Sequence, residues 1–212
     1  TAWRINRALA AKDGPIVPLI AETGGINAML VDATALPEQV SDDVVTSAFR
    51  SAGQRCSALR LLFLQEEVAD RMVEMIAGAA GQLKVGDPRH PATDVGPVID
   101  AEARDRLATH VARMQREQQV LFAGAVPGGD MAGGTWMAPH IIALKSADDL
   151  TEEVFGPILH VVRWKPGEID RVIEAIAATG YGLTLGVHSR IDAVHRRVAD
   201  ALPVGNVYVN RN

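Results

Sequence analysis

Short apolar runs that recur between segments of helical periodicity constrain this chain more than any single residue does. Ile16–Ile20, Asn27–Val31, Leu59–Leu64, Trp136–Leu144, Ile158–Trp164, Gly182–His188 and Gly205–Val209 read as strands. Several are too continuously apolar to leave one face in water. Helical patterns fill the intervals: residues 1–12, a stripe of Val40, Val44, Val45, Ala48 and Phe49 after Pro37, Glu66–Gln82, Asp100–Gln119, Glu168–Ala178 and Ile191–Leu202. In Glu66–Gln82 the inward positions are Val68, Met72, Met75 and Ile76, with Leu83 just beyond, and in Asp100–Gln119 they are Leu107, Val111 and Met114. Strand alternating with helix implies an α/β fold: a three-layer arrangement, its largely parallel sheet flanked by helices. The glycine-rich Gly124–Gly134 reads as a loop; it lacks the G-x-G-x-x-G order and no helix follows, so it has no phosphate-binding role.

Composition narrows the function classes. With 212 residues, 48% hydrophobic and 22% charged, the chain has the make-up of a soluble globular protein with a sizeable core. A net charge of −5 leaves no basic footprint for nucleic acid. No apolar run is long enough to span a membrane. The six histidines show no ligand spacing, so no metal is expected. One cysteine excludes an intrachain disulfide, and its scarcity fits a reducing, cytoplasmic setting. Thr1–Asn6 reads as helix interior and the last strand-like run stops near Asn212, so the chain is expected to be a fragment of a longer protein.

That cysteine sits in Ser51-Ala52-Gly53-Gln54-Arg55-Cys56-Ser57. A lone cysteine can simply be a small buried hydrophobe. Here Gly53 permits close backbone approach, and Arg55 and Ser57 bracket the sulfur with a cation and a hydroxyl. A nearby cation favours the thiolate that attacks carbonyl carbon, so Cys56 is a candidate nucleophile. Glu22, before Thr23-Gly24-Gly25, is expected at the carboxyl end of the strand Ile16–Ile20, where α/β folds hold active-site groups, and pairs with Cys56 as a base able to activate water. The alternative is a solvated acid at a turn. In Glu152-Glu153-Val154-Phe155-Gly156-Pro157 a carboxylate and a ring two residues apart share one face of extended chain, which suits a ribose hydroxyl and a flat heterocycle. A turn packing its phenylalanine into the core is the alternative.

Glu22-Thr23-Gly24-Gly25, Gly53-Gln54-Arg55-Cys56 and Glu152 to Pro157, in that order and with Val85-Gly86-Asp87-Pro88 and Gly96-Pro97-Val98-Ile99, resemble the aldehyde dehydrogenase superfamily. Ala21 to Met29, Ser51 to Arg60 and Gly205 to Asn212 look most like its L-glutamate γ-semialdehyde (Δ1-pyrroline-5-carboxylate) dehydrogenase branch within bifunctional proline-utilisation proteins. The resemblance implies an NAD-dependent oxidation in proline catabolism, in which Cys56 attacks the aldehyde and Glu22 activates the water that hydrolyses the thioester. It further implies cofactor contacts from Glu153, Phe155 and Gly24 and half an oxyanion hole from the Cys56 N–H. Arg55 and Ser57 become the candidates for the substrate's α-carboxylate. Residues 1–14 are expected to be the tail of a dinucleotide-binding domain lying upstream, and 15–212 a catalytic domain truncated at its C-terminus. The isolated chain is then expected to be inactive, its parent a homo-oligomer, and FAD present only if a proline dehydrogenase half lies upstream. Two alternatives stand beside this: an aldehyde dehydrogenase for another semialdehyde, and a non-catalytic assembly module of the same fold.

Overall fold

The continuously apolar runs lie where both of their faces are covered. The structure, a computed structural model, describes residues 2–212; Thr1, which the sequence places in the first helix, lies outside them. The strands are β1 (Asn27–Val31), β2 (Leu59–Gln65), β3 (Gln119–Ala123), β4 (His140–Ala143), β5 (Ile158–Trp164), β6 (Thr184–His188) and β7 (Asn206–Val209). They form one seven-stranded sheet in the order β3-β4-β5-β2-β1-β6-β7. Only β3 and β4 run antiparallel; every other pairing is parallel. Every residue of β1 is buried, as is every residue of β2 but the last, so the central strands meet apolar layers on both sides.

The helices are α1 (Ala2–Ala10), α2 (Pro37–Phe49), α3 (Glu66–Ala80), α4 (Ala101–Glu117), α5 (Ile169–Ala178) and α6 (Asp192–Ala201). Pro37 occupies the first turn of α2, where its missing N–H costs nothing, and Val40, Val44, Val45, Ala48 and Phe49 are buried beneath it. Asp100 caps α4 by accepting from the Ala103 N–H at 2.7 Å, and Leu107, Val111 and Met114 face inward. The step from β1 to β2 goes one way along the sheet, whereas β5 to β6 and β6 to β7 go the other. Right-handed crossovers therefore put α2 on one face and α5 and α6 on the opposite one, giving three layers. Among the described residues, no helix is long and apolar enough to cross a membrane.

Three expectations need correction. Ile16–Ile20 forms no strand: residues 11–24 make an exposed arm, with Ile16 fully and Ile20 87% exposed, and Pro15 and Pro18 each remove a ladder donor. The helix does not run through Gln119, because Gln118 turns extended at φ −132°, ψ −175° and opens the short edge strand β3. The extended run Trp136–Leu144 pairs only over His140–Ala143.

Candidate active site

Every candidate site segment lies immediately before a strand. Glu22 to Gly24 precede β1, Cys56 precedes β2, Glu153 and Phe155 precede β5, and Gly180 to Leu183 precede β6. Because these four strands are parallel neighbours in the sheet, their amino ends share one edge. The candidate site is therefore at the amino edge, not at the carboxyl ends where Glu22 was expected. The reason is local: with no strand at Ile16–Ile20, Glu22 rides on an arm that enters the sheet instead of leaving it.

Glu22, Gly24, Cys56, Glu153 and Phe155 line one cavity of about 590 Å³, together with Tyr181, Gly182 and Leu183. Cys56 is exposed. Phe155 is 43% exposed, so its ring is not a core residue. Glu153 is half-buried; burial pushes its carboxyl up, while the Arg60 cation and a hydrogen bond from the Gly25 N–H pull it back. Gly25 lies between the two motifs: a Cβ there would stand in ordinary van der Waals contact with the Cys56 carbonyl oxygen at 3.5 Å and with Glu153 Oε1 at 3.7 Å.

The cysteine loop is fixed by its own backbone, close-packed at Gly53, and by two side chains outside it, Arg60 and Asn27. Ser51, Ala52 and Gly53 all take left-handed φ, at 56°, 52° and 63°. A side chain on Gly53 would run into the Gly156 carbonyl. Gly53→Ala is expected to destabilise the fold by about 2–5 kcal/mol, combining left-handed strain with overpacking. Chemical denaturation checks this, and an unchanged midpoint would contradict it.

Arg60, fully buried in β2, crosses to the same place. Its Nη1 donates to the Gly156 carbonyl at 2.8 Å, and Nη2 donates to the carbonyls of Gly53 at 2.5 Å and Arg55 at 3.3 Å. Its guanidinium also lies 5.3 Å from the Phe155 ring centroid. Burial lowers it to about 10, so it stays a cation at neutral pH. One side chain thus ties the cysteine loop to the Glu153–Phe155 turn. Asn27 does the same between β1, β2 and β6: Nδ2 donates to the carbonyls of Cys56 at 2.7 Å and Ala58 at 2.9 Å, while Oδ1 accepts from the Thr184 N–H.

Arg55 and Ser57 do not line the cavity. Arg55 Nη2 instead donates to the carbonyls of Thr46 and Ser47, at 3.1 and 3.5 Å, in the last turn of α2. A guanidinium at carbonyls left open by a helix end is a structural cap. Tyr181, set between Gly180 and Gly182, is a lining residue that sequence reasoning missed; an aromatic flanked by glycines ahead of a strand was the available signal.

Burial also depresses four histidines below their ordinary value: His160 to about 3, His110 and His188 to about 4, and His140 in the same direction. The unfolded chain then takes up protons that the folded chain refuses. Stability is complete above about pH 6.5 and falls as pH drops toward the folded values. The raised carboxyls of Glu153 and Asp43 act in the opposite sense, but their shifts are smaller. A lower urea midpoint at pH 5 than at pH 7 is expected; equal midpoints would contradict it.

The family pattern described as "Aldehyde dehydrogenase family" matches residues 1–212. The chain belongs to the aldehyde dehydrogenase family. Among the relatives it matches, a "Bifunctional protein PutA" of Klebsiella aerogenes is 51% identical over 218 residues, covering 100% of this chain and 17% of the relative. A "1-pyrroline-5-carboxylate dehydrogenase" of Geobacillus kaustophilus is 35% identical over 195 residues, covering 91% of this chain and 37% of the relative. A crystal structure of bifunctional proline utilization A superposes at a TM-score of 0.95 with 69% identity, over 100% of this chain and 21% of that one. The chain thus spans about a sixth of the curated PutA proteins, and as an aldehyde dehydrogenase segment it keeps the family's α/β fold.

Proposed function

We propose that this segment is the nucleophile-bearing part of an enzyme that oxidises L-glutamate γ-semialdehyde to L-glutamate with NAD, in proline catabolism. The single observation that carries the reading is the convergence of Cys56, Glu22, Glu153 and Phe155 on one cavity from three separate stretches of sequence. In this reading the Cys56 thiolate adds to the aldehyde carbon to give a thiohemiacetal. The N–H of Cys56 donates to the developing oxyanion, the kind of interaction worth roughly 3–4 kcal/mol in other acyl-transfer enzymes. NAD held against Phe155 and Glu153 would supply the hydride acceptor through which the thiohemiacetal on Cys56 becomes a thioester. Glu22 then takes a proton from the water that hydrolyses the thioester.

The residues present fit a nicotinamide nucleotide. A half-exposed Phe155 ring offers a face to a flat heterocycle, and the Glu153 carboxylate, in the field of the Arg60 cation, offers an acceptor to a ribose hydroxyl. Gly24, beside Tyr181, leaves room at the cavity wall. With its guanidinium on α2, Arg55 is a less suitable partner for the substrate carboxylate than the sequence suggested, and Ser57 has no place on the cavity wall.

The division proposed is residues 1–14 as the tail of a dinucleotide-binding domain and 15–212 as catalytic domain, within a homo-oligomeric, cytoplasmic parent. The isolated 212-residue chain is accordingly expected to form no NADH above a Cys56→Ser control. The test of function uses the full-length protein that carries the chain, fed glutamate γ-semialdehyde and, separately, uncharged aldehydes. A kcat/KM higher by about tenfold or more for the glutamate semialdehyde is expected, the size of one well-made charged contact. Equal values would move the assignment to another aldehyde, and no NADH from any aldehyde would favour a non-catalytic module.

A further inference from the structure

Two histidines outside the cavity are held in a way that its chemistry does not yet use. His160, in β5, is fully buried, with Nδ1 3.1 Å from the Arg60 carbonyl oxygen and Nε2 2.9 Å from Nε2 of His110 on α4. The two rings meet edge to face, centroids 5.1 Å apart at 85°. A carbonyl can only accept, so His160 carries its proton on Nδ1. Its Nε2 is then an acceptor, and His110 must donate from Nε2–H. Each ring is held in one neutral tautomer, and the adjacent Arg60 and Arg113 cations add to burial in keeping His160 uncharged.

The carbonyl they hold belongs to Arg60, whose side chain locks the cysteine loop to the Glu153–Phe155 turn. It also lies one residue before the first rung between β2 and β5, Leu61 opposite His160. These are the strands that the cysteine loop and the Glu153–Phe155 turn lead into. His110 additionally borders a cavity of about 320 Å³ whose wall includes Glu153 and Phe155. We infer that His160 and His110 are positioning residues: by fixing the Arg60 backbone they set the spacing between Cys56 and the Glu153–Phe155 turn. This rests on reading the cavity as an aldehyde-oxidising site.

The test uses the full-length protein with His160→Gln, His160→Leu and His110→Ala. Glutamine can donate to the Arg60 carbonyl and accept from His110; leucine can do neither and leaves both partners unpaired. Two readouts need no aldehyde turnover: the rate of Cys56 alkylation by iodoacetamide, and long-range nitrogen–proton NMR of the histidine rings. At pH 7 the spectrum should show one neutral ring protonated at Nδ1 and its neighbour protonated at Nε2. His160→Leu should slow alkylation and raise KM for NAD by about tenfold, the consequence of one buried unpaired polar group, with His160→Gln close to wild type. If His160→Leu does not fold, His110→Ala on the half-buried helix should show the same pattern at smaller size. Variants that lower only the unfolding midpoint, leaving alkylation and KM for NAD unchanged, would overturn the inference, as would a charged ring or a His160→Gln as impaired as His160→Leu. Should wild type oxidise no aldehyde while the NMR and alkylation results follow expectation, the two histidines still set the spacing at Cys56, and what falls is the proposed function together with their assignment to it.

Discussion

Replacing Cys56 with alanine is expected to lower kcat for aldehyde oxidation by at least ~10⁴-fold, the scale on which acyl-transfer enzymes lose activity without their nucleophile. The loss should come without unfolding. Cys56 is exposed at the mouth of the cavity, so removing its sulfur opens no void in the core and leaves no buried partner unsatisfied. Its backbone role survives the change, because Asn27 holds the residue 56 carbonyl and not the thiol. The chemistry and the fold are therefore separable at this position. An unfolding midpoint equal to wild type, with NADH formation at background, is the expected pair of results. A loss of less than about tenfold would mean that the aldehyde is oxidised without a covalent step, since a nucleophile cannot be so dispensable.

Glu22→Gln should fail at a different point. Its carboxylate lines the same cavity from the exposed arm before β1, and glutamine keeps its shape but cannot take a proton. Acylation of Cys56 does not need that base in the proposed scheme, whereas hydrolysis of the thioester does. Rapid mixing should show a burst of NADH equal to the enzyme present, followed by a steady rate lower by about 10²-fold or more, the usual contribution of a general base. Equal losses in burst and steady rate would reassign Glu22 to an earlier step. Because Glu22 sits on an exposed arm, no loss of stability is expected from this substitution.

The parts of the fold that the sequence discloses are those where burial imposes a period. The strands at Asn27, Leu59 and Ile158 and the α2 stripe follow from apolar runs and 3.6-residue spacing, because both sheet faces are covered. Ile16–Ile20 shows the limit of that rule. Four apolar residues and a proline read as a strand, but a strand needs a partner ladder, and Pro18 within the run and Pro15 just before it remove donors while the side chains stay exposed. The edge strand β3 is the converse case: half-buried and short, it has too little pattern to separate from the end of α4.

The site follows a similar division. Cys56, Glu22, Glu153 and Phe155 stand out because their local motifs carry chemistry, yet only the parallel pairing of β1, β2, β5 and β6 shows that they share an edge. Arg60 was hidden inside an apolar strand, where its neighbours Leu59, Leu61 and Leu62 say nothing of three carbonyls to satisfy. Arg55 drew attention instead through its proximity to Cys56 in sequence. Adjacent residues need not face the same space, and the last turn of α2 claimed its guanidinium.

The most direct test of the central claim is to quench the full-length Glu22→Gln protein after one turnover with NAD and glutamate γ-semialdehyde, then map the adduct by peptide mass spectrometry. A glutamyl thioester on the peptide containing Cys56 is the predicted result. NADH formed in the burst with Cys56 unmodified, or the acyl group found on another residue, would contradict the account.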